Sequence, residues 1–153
     1  MSRRFLLFLA VGALALLAVG SLATASSTKA RVSKDTYVEF CMPSNNIFCY
    51  YSASTSPRSK YVRCDIMSGL KPRPPSNGCV DGARLKAATV NATGRASFPC
   101  VGDVVMNRSA YKLRYGKTWR RGGITCKSKI AGLRCTNLSR HGFFLNRQHS
   151  YRF

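Results

Sequence analysis

All seven cysteines of this chain, at positions 41, 49, 64, 79, 100, 126 and 135, lie downstream of an apolar leader, and that arrangement constrains the fold more than any other feature. The chain opens MSRRFLLFLAVGALALLAVGSLATASS, with Arg3 and Arg4 ahead of an uncharged apolar run over residues 5–19. Small residues follow and end in Ala23-Thr24-Ala25, the order of a secretory signal peptide cut before Ser26. The alternative is an uncleaved membrane anchor, because no charge follows until Lys29. Gly20, Ser21 and Thr24 dilute the end of the run and favour cleavage. The expected localisation is therefore secreted or cell-envelope associated, with membrane attachment only if the leader is retained. In an oxidising compartment the cysteines read as a disulfide framework, whereas in a reducing one they would read as metal ligands.

Cleavage leaves 128 of the 153 residues, the size of one domain with a modest core. The expected organisation is a signal peptide at 1–25, a polar, disordered lead-in at 26–36 and a single β domain at 37–153. Without Arg3 and Arg4, 23 Lys and Arg stand against five Asp and Glu, a net charge of +18. Such a field concentrates anionic partners but does not select a fold.

No helical periodicity of useful length follows the leader. Short β-branched and aromatic runs recur at roughly 8–12-residue intervals between Gly, Pro, Asn and Ser clusters, which predicts an all-β sandwich or barrel built of antiparallel hairpins. NIFCYYSA and KYVRCDI flank a turn at Ser56-Pro57-Arg58; LKAATVN and ASFPC flank residues 92–95; ITCKS and LRCTN flank residues 129–132. GLKPRPPSNG (69–78) is read as an exposed loop of polyproline character, since proline cannot donate to a ladder.

Folding residues 124–137 about a turn between Ile130 and Ala131 sets Cys126 opposite Cys135 and Ser128 opposite Leu133. The same exercise at Ser56-Pro57 sets Cys49 opposite Cys64 and Tyr51 opposite Val62. Directly opposed strand residues bring their Cβ atoms about 4.5–5.5 Å apart, close to what a bridge requires. Bridges Cys49–Cys64 and Cys126–Cys135 are thus expected, leaving Cys79–Cys100 as the third. Each would contribute about 2–3 kcal/mol by restricting the unfolded chain. A zinc site built on Cys126, Cys135 and His141 is disfavoured because the cysteines lack the short spacing of a zinc knuckle. No metal and no cofactor are expected.

Candidates for catalysis are few. Asp81 and Asp103, candidates for a glycosidase pair, read better as turn residues in VDGA and VGDV. His141 and His149 invite a ribonuclease-like acid–base pair, but RHGFF places His141 at a turn and His149 lies among polar residues. The stretch YKLRYGKTWRRGGITCKSK carries the strongest physical signal. Lys112, Arg114, Lys117, Arg120, Arg121, Lys127, Lys129 and nearby Arg134 interleave with Tyr111, Tyr115 and Trp119. Cations for phosphates and aromatics for bases or sugars make a polyanion platform. In the competing reading, alternate strand residues face water and Trp119 enters the core.

The ordered motifs PSNNIFC, VRCDI, FPCVGD, LRYG, ITCKS, GLRCTN and HGFFLNRQHSYRF resemble those of a small secreted bacterial domain of unknown function, over residues 40–153. The resemblance implies bacterial export and a disulfide-containing β fold, and it implies no activity. Phe48 departs from the small residue expected before the first family cysteine, and Cys41 is an addition. Cys41 is then the odd thiol, free or bridging two chains as a disulfide-linked homodimer. The functional expectation is a secreted basic β domain that binds an anionic polymer or envelope surface, with a small secreted hydrolase as the alternative.

Overall fold

A computed structural model describes residues 36–53, 59–75, 79 and 85–153 of the protein. The leader, most of the lead-in, the Ser56-Pro57-Arg58 turn and Asp81 lie outside the described residues. Ten strands follow in order: β1 (Thr36–Cys41), β2 (Ile47–Ala53), β3 (Tyr61–Ile66), β4 (Ala87–Asn91), β5 (Tyr111–Lys112), β6 (Thr118–Arg121), β7 (Ile124–Lys129), β8 (Gly132–Thr136), β9 (Gly142–Leu145) and β10 (Ser150–Arg152). They form two five-stranded sheets, ordered β4-β3-β2-β1-β5 and β10-β9-β8-β7-β6, in a sandwich-like arrangement. The second sheet is a run of antiparallel neighbours. The first is mixed, because β5 joins β1 in parallel, pairing Phe40 with Tyr111. Of the two all-β architectures expected, the sandwich is the one formed, built of antiparallel hairpins with β5 adding one parallel edge pairing.

Period-two alternation explains the second sheet. Ile124, Cys126 and Ser128 of β7 are buried while Lys127 and Lys129 are exposed, and Leu133 and Cys135 flank an exposed Arg134. The shared core adds Phe40, Tyr51, Val62, Ile66 and Val90 from the first sheet and Phe143 and Leu145 from the second. Trp119, opposite Cys126, stacks on Phe40 with ring centroids 5.0 Å apart and tilts against Tyr51 at 5.6 Å, joining the sheets. The turn between β6 and β7 has two residues, Gly122 and Gly123, both with positive φ. That geometry is the primed hairpin turn matching strand twist, and a Cβ on Gly122 would fall 2.2 Å from the Tyr51 hydroxyl.

Over most of β2 and β3 the first sheet is covered on both sides, so these strands show near-continuous burial instead of alternation. Val105, from the segment between β4 and β5, packs on Cys41 and Phe48 on the outer side. Its N–H donates to Asp65 Oδ2 at 3.0 Å. Asp65 is wholly buried and takes a two-pronged contact from Arg63, Nε to Oδ1 at 2.9 Å and Nη2 to Oδ2 at 3.0 Å. Arg63 also meets the Asp103 carboxylate at 2.8 Å. Charged side chains leave water at tolerable cost only when paired and hydrogen-bonded in this way.

Three disulfides link Cys49–Cys64, Cys79–Cys100 and Cys126–Cys135. The first and third staple neighbouring strands at directly opposed positions. Three such bonds belong to a chain that matures in an extracellular or otherwise oxidising environment. Cys41 is the free cysteine and is wholly buried, its thiol facing the Ala110 carbonyl at 3.7 Å. Burial pushes this thiol's pKa up, against the pull of Lys112. A bridge between two chains through Cys41 would require this edge of the sheet to open.

One sequence expectation changes. ASFPC does not form a strand: only Ser97 bridges Thr89, and the chain then leaves through Pro99, which has no N–H to donate, toward the Cys100 bridge. In the proline-rich loop Lys71, Pro72, Arg73 and Pro75 are exposed, and the Lys71–Pro72 bond is cis. The Lys71 N–H donates to Ser150 Oγ at 3.2 Å and its carbonyl accepts from the Ser150 N–H.

Candidate functional site

The outward face of the second sheet concentrates cations and aromatic rings. Strand register aligns one row across five strands: Thr118, Lys127, Arg134, Phe144 and Tyr151. Neighbouring strands lie about 4.8 Å apart, so consecutive members of the row are within reach of one another. The adjacent row runs Arg120, Thr125, Thr136 and Gly142, and the Gly142 and Phe153 backbones exchange hydrogen bonds of 2.9 and 3.0 Å. Phe144 stacks on Tyr151 at 5.2 Å, and the Arg134 guanidinium lies 3.6 Å over the Phe153 ring. A guanidinium so placed is held by the ring quadrupole while its outer N–H groups stay free for an anion. Beside it is a shallow groove of about 300 Å³ lined by Arg120, Thr125, Lys127, Arg134, Thr136 and Asn137.

The cationic stretch singled out in the sequence divides in three. Arg120, Lys127, Lys129 and Arg134 point outward on this face. Lys112 lies on β5 at the edge of the other sheet, and Arg114 and Lys117 lie in the β5–β6 connection, as does Tyr115. Arg121 turns toward the Tyr51 ring, 5.8 Å from its centroid. Trp119 belongs to the interior, not to the platform, because β6 alternates and its neighbours Thr118 and Arg120 take the outward side. The sequence reading missed Phe144, Tyr151 and Phe153, which supply the aromatic half of the face. Their spacing at i and i+7 across the last hairpin carried the signal.

Of the catalytic candidates, Asp81 lies outside the described residues, and His141 and His149 do not meet. His141 precedes β9 and its Nδ1 lies 3.3 Å from the Phe153 carbonyl. His149 sits at the opposite end of the β9–β10 hairpin, in a turn pinned by Asn146 Oδ1. Four strand residues intervene, which separates the rings by roughly 10–15 Å, too far for concerted acid–base work. The Arg63 hydrogen bond holds the Asp103 carboxyl below its usual range, so Asp103 is a standing anion and not a proton donor. The Cys126 and Cys135 sulfurs are bonded to each other and are not ligands for a metal with His141. Among the described residues no three His, Cys, Asp or Glu side chains converge on a metal-sized site.

These features define a small disulfide-stapled β domain of two packed sheets with one cation-rich, aromatic outer face. The chain belongs to the family of unknown function DUF6636, whose model matches residues 15–153. No curated protein and no solved structure matches it.

Proposed function

We propose that the protein is an exported binding module that captures a flexible anionic polymer, at the cell envelope or outside it, on the outer face of the second sheet. The observation that carries this reading is the cross-strand row in which Lys127 and Arg134 run directly into the Phe144–Tyr151 stack. A polymer crossing the strands would set its charges on the cations and its bases or sugar rings on the aromatics, while the high net charge speeds the encounter.

The test is binding of a fluorescent single-stranded oligonucleotide and of inorganic polyphosphate across a salt series. Four cations on the face predict a logarithmic salt slope near −2.8, so affinity falls about fiftyfold between 50 and 200 mM salt. Lys127→Ala with Arg134→Ala should halve that slope, and Phe144→Ala should weaken the oligonucleotide alone, by about tenfold. Affinity indifferent to salt, or to the double substitution, would remove this reading.

Export has its own readout. Intact mass of the protein recovered outside the cytoplasm should match a chain beginning at Ser26 and lighter by six hydrogens, two for each disulfide. A mass that retains residues 1–25 would instead establish the leader as an anchor.

A further inference from the structure

The opposite outer face has the reverse chemistry. Residues of one parity on β1, β2 and β3 share that side, which aligns Tyr37 and Glu39 with Tyr50, Ser52 and Tyr61. Tyr37 stacks on Tyr50 at 5.2 Å, and Tyr61 stands edge-on to Tyr50 at 5.6 Å with planes 76° apart. The Tyr37–Tyr50 stack and the Tyr61 ring thus stand at a steep angle to each other. The segment 103–107 forms the far wall, with Val104 and Met106 half exposed. The groove encloses about 450 Å³, ample for a small organic ion.

Charge distinguishes this groove from the rest of the molecule. The sequence has 25 Lys and Arg against five Asp and Glu, yet Glu39 and Asp103 line the groove and, among the described residues, no Lys or Arg does. Arg63 lies buried beneath, its charge matched by Asp65. The lining therefore carries two net negative charges beside three phenol rings. Burial and the hydrogen bond to Tyr61 push the Tyr50 hydroxyl up to about 12, so its ring meets a ligand as a neutral phenol.

We propose that this groove binds a quaternary ammonium group. Such a cation spreads its charge over methyl groups and donates no hydrogen bond, so it is held by ring faces and by carboxylate fields. The carboxylate oxygens here are already engaged: Glu39 accepts from the Tyr37 hydroxyl and from Asn107, and Asp103 accepts from Arg63. A primary ammonium gives up hydration that these occupied acceptors only partly replace, whereas a methylated one gives up little. Val104 and Met106 supply apolar contact for the methyl groups. The site stands independently of the polyanion face.

The test is titration of the full exported protein with choline chloride, followed by NMR shifts of the Tyr37, Tyr50 and Tyr61 rings and of amides 103–107. Saturable shifts confined to these residues are expected, with a Kd on the order of 1 mM. Uncharged 3,3-dimethylbutanol, of the same shape, and primary-amine ethanolamine should each bind at least about tenfold more weakly. Tyr37 is 59% exposed, so Tyr37→Ala should keep the fold and weaken choline about tenfold, and Glu39→Gln should weaken it several-fold. Absence of a saturable shift, equal binding of the uncharged isostere, or affinity unchanged in Tyr37→Ala would overturn the assignment. Phosphatidylcholine vesicles distinguish the source. Co-sedimentation displaced by free choline identifies a lipid headgroup, and choline binding without co-sedimentation identifies a soluble ligand.

Discussion

Asp65→Leu should lower stability by about 3–5 kcal/mol, the cost of leaving the Arg63 guanidinium buried without its partner. For a domain of this size that corresponds to a fall in Tm on the order of 10–25 °C. Asp103 cannot take over, because its carboxylate is 72% exposed and meets Nη2 alone, while Asp65 accepts from both Nε and Nη2 and also from the Val105 N–H. The loss should therefore loosen the segment that covers the first sheet as well as the ion pair. The double substitution Arg63→Met with Asp65→Leu should recover most of the stability, since an apolar pair of similar volume removes the desolvation penalty along with the attraction. Urea denaturation of the three proteins, with disulfides intact, is the measurement. A single substitution costing less than about 1 kcal/mol, or a double as unstable as the single, would show that the pair is solvated in solution.

Replacing Cys49 and Cys64 together by Ala should cost more than replacing Cys79 and Cys100, although the second pair closes the longer loop. Loop entropy alone ranks them the other way but narrowly, at about 3 kcal/mol for separations of either 15 or 21 residues. Packing decides the order. Cys49 and Cys64 are buried in the shared core, where deleting both sulfurs leaves a void that adds about 1–2 kcal/mol. Cys100 is exposed and Cys79 half-buried, so nothing collapses around them. Graded reduction followed by alkylation and mass mapping reads the same difference kinetically: Cys79 and Cys100 should label first, with Cys49, Cys64, Cys126 and Cys135 protected until the domain unfolds. Cys41 should label with the protected group, its thiol being buried and its pKa raised. Early labelling of Cys126 or Cys135, or equal losses in the two double variants, would contradict this ranking.

The hairpins were legible because their signals are local. Cysteines at equal distances from a turn face each other in any antiparallel pair, and the register of β7 on β8 and of β2 on β3 follows that rule. Gly122-Gly123 between two strand-like runs carries an equally local signal for the β6–β7 hairpin. Arg63 and Asp65, two positions apart on β3, could be placed on one face from VRCDI alone. Their burial could not, because the segment that covers them lies about forty residues away.

The candidate sites divide in the same way. The cationic stretch was visible as a run of side chains, but a run in sequence is not a surface. Alternation sends Trp119 inward, a hairpin end carries Arg121 to Tyr51, and β5 carries Lys112 to the other sheet. Register across four strand pairs then brings Phe144 and Tyr151 beside Lys127 and Arg134.

By itself, then, the sequence determined the all-β class, the turn-centred hairpins and the bridges within them, since each depends on contacts among residues fewer than about twenty apart along the chain. Tertiary structure alone decided which sheet face is covered, which cations share a surface, and that Tyr37, Tyr50 and Tyr61 meet beside Glu39 and Asp103. Those neighbours come from distant segments, and the burial of the shared core, not any local propensity, holds them together.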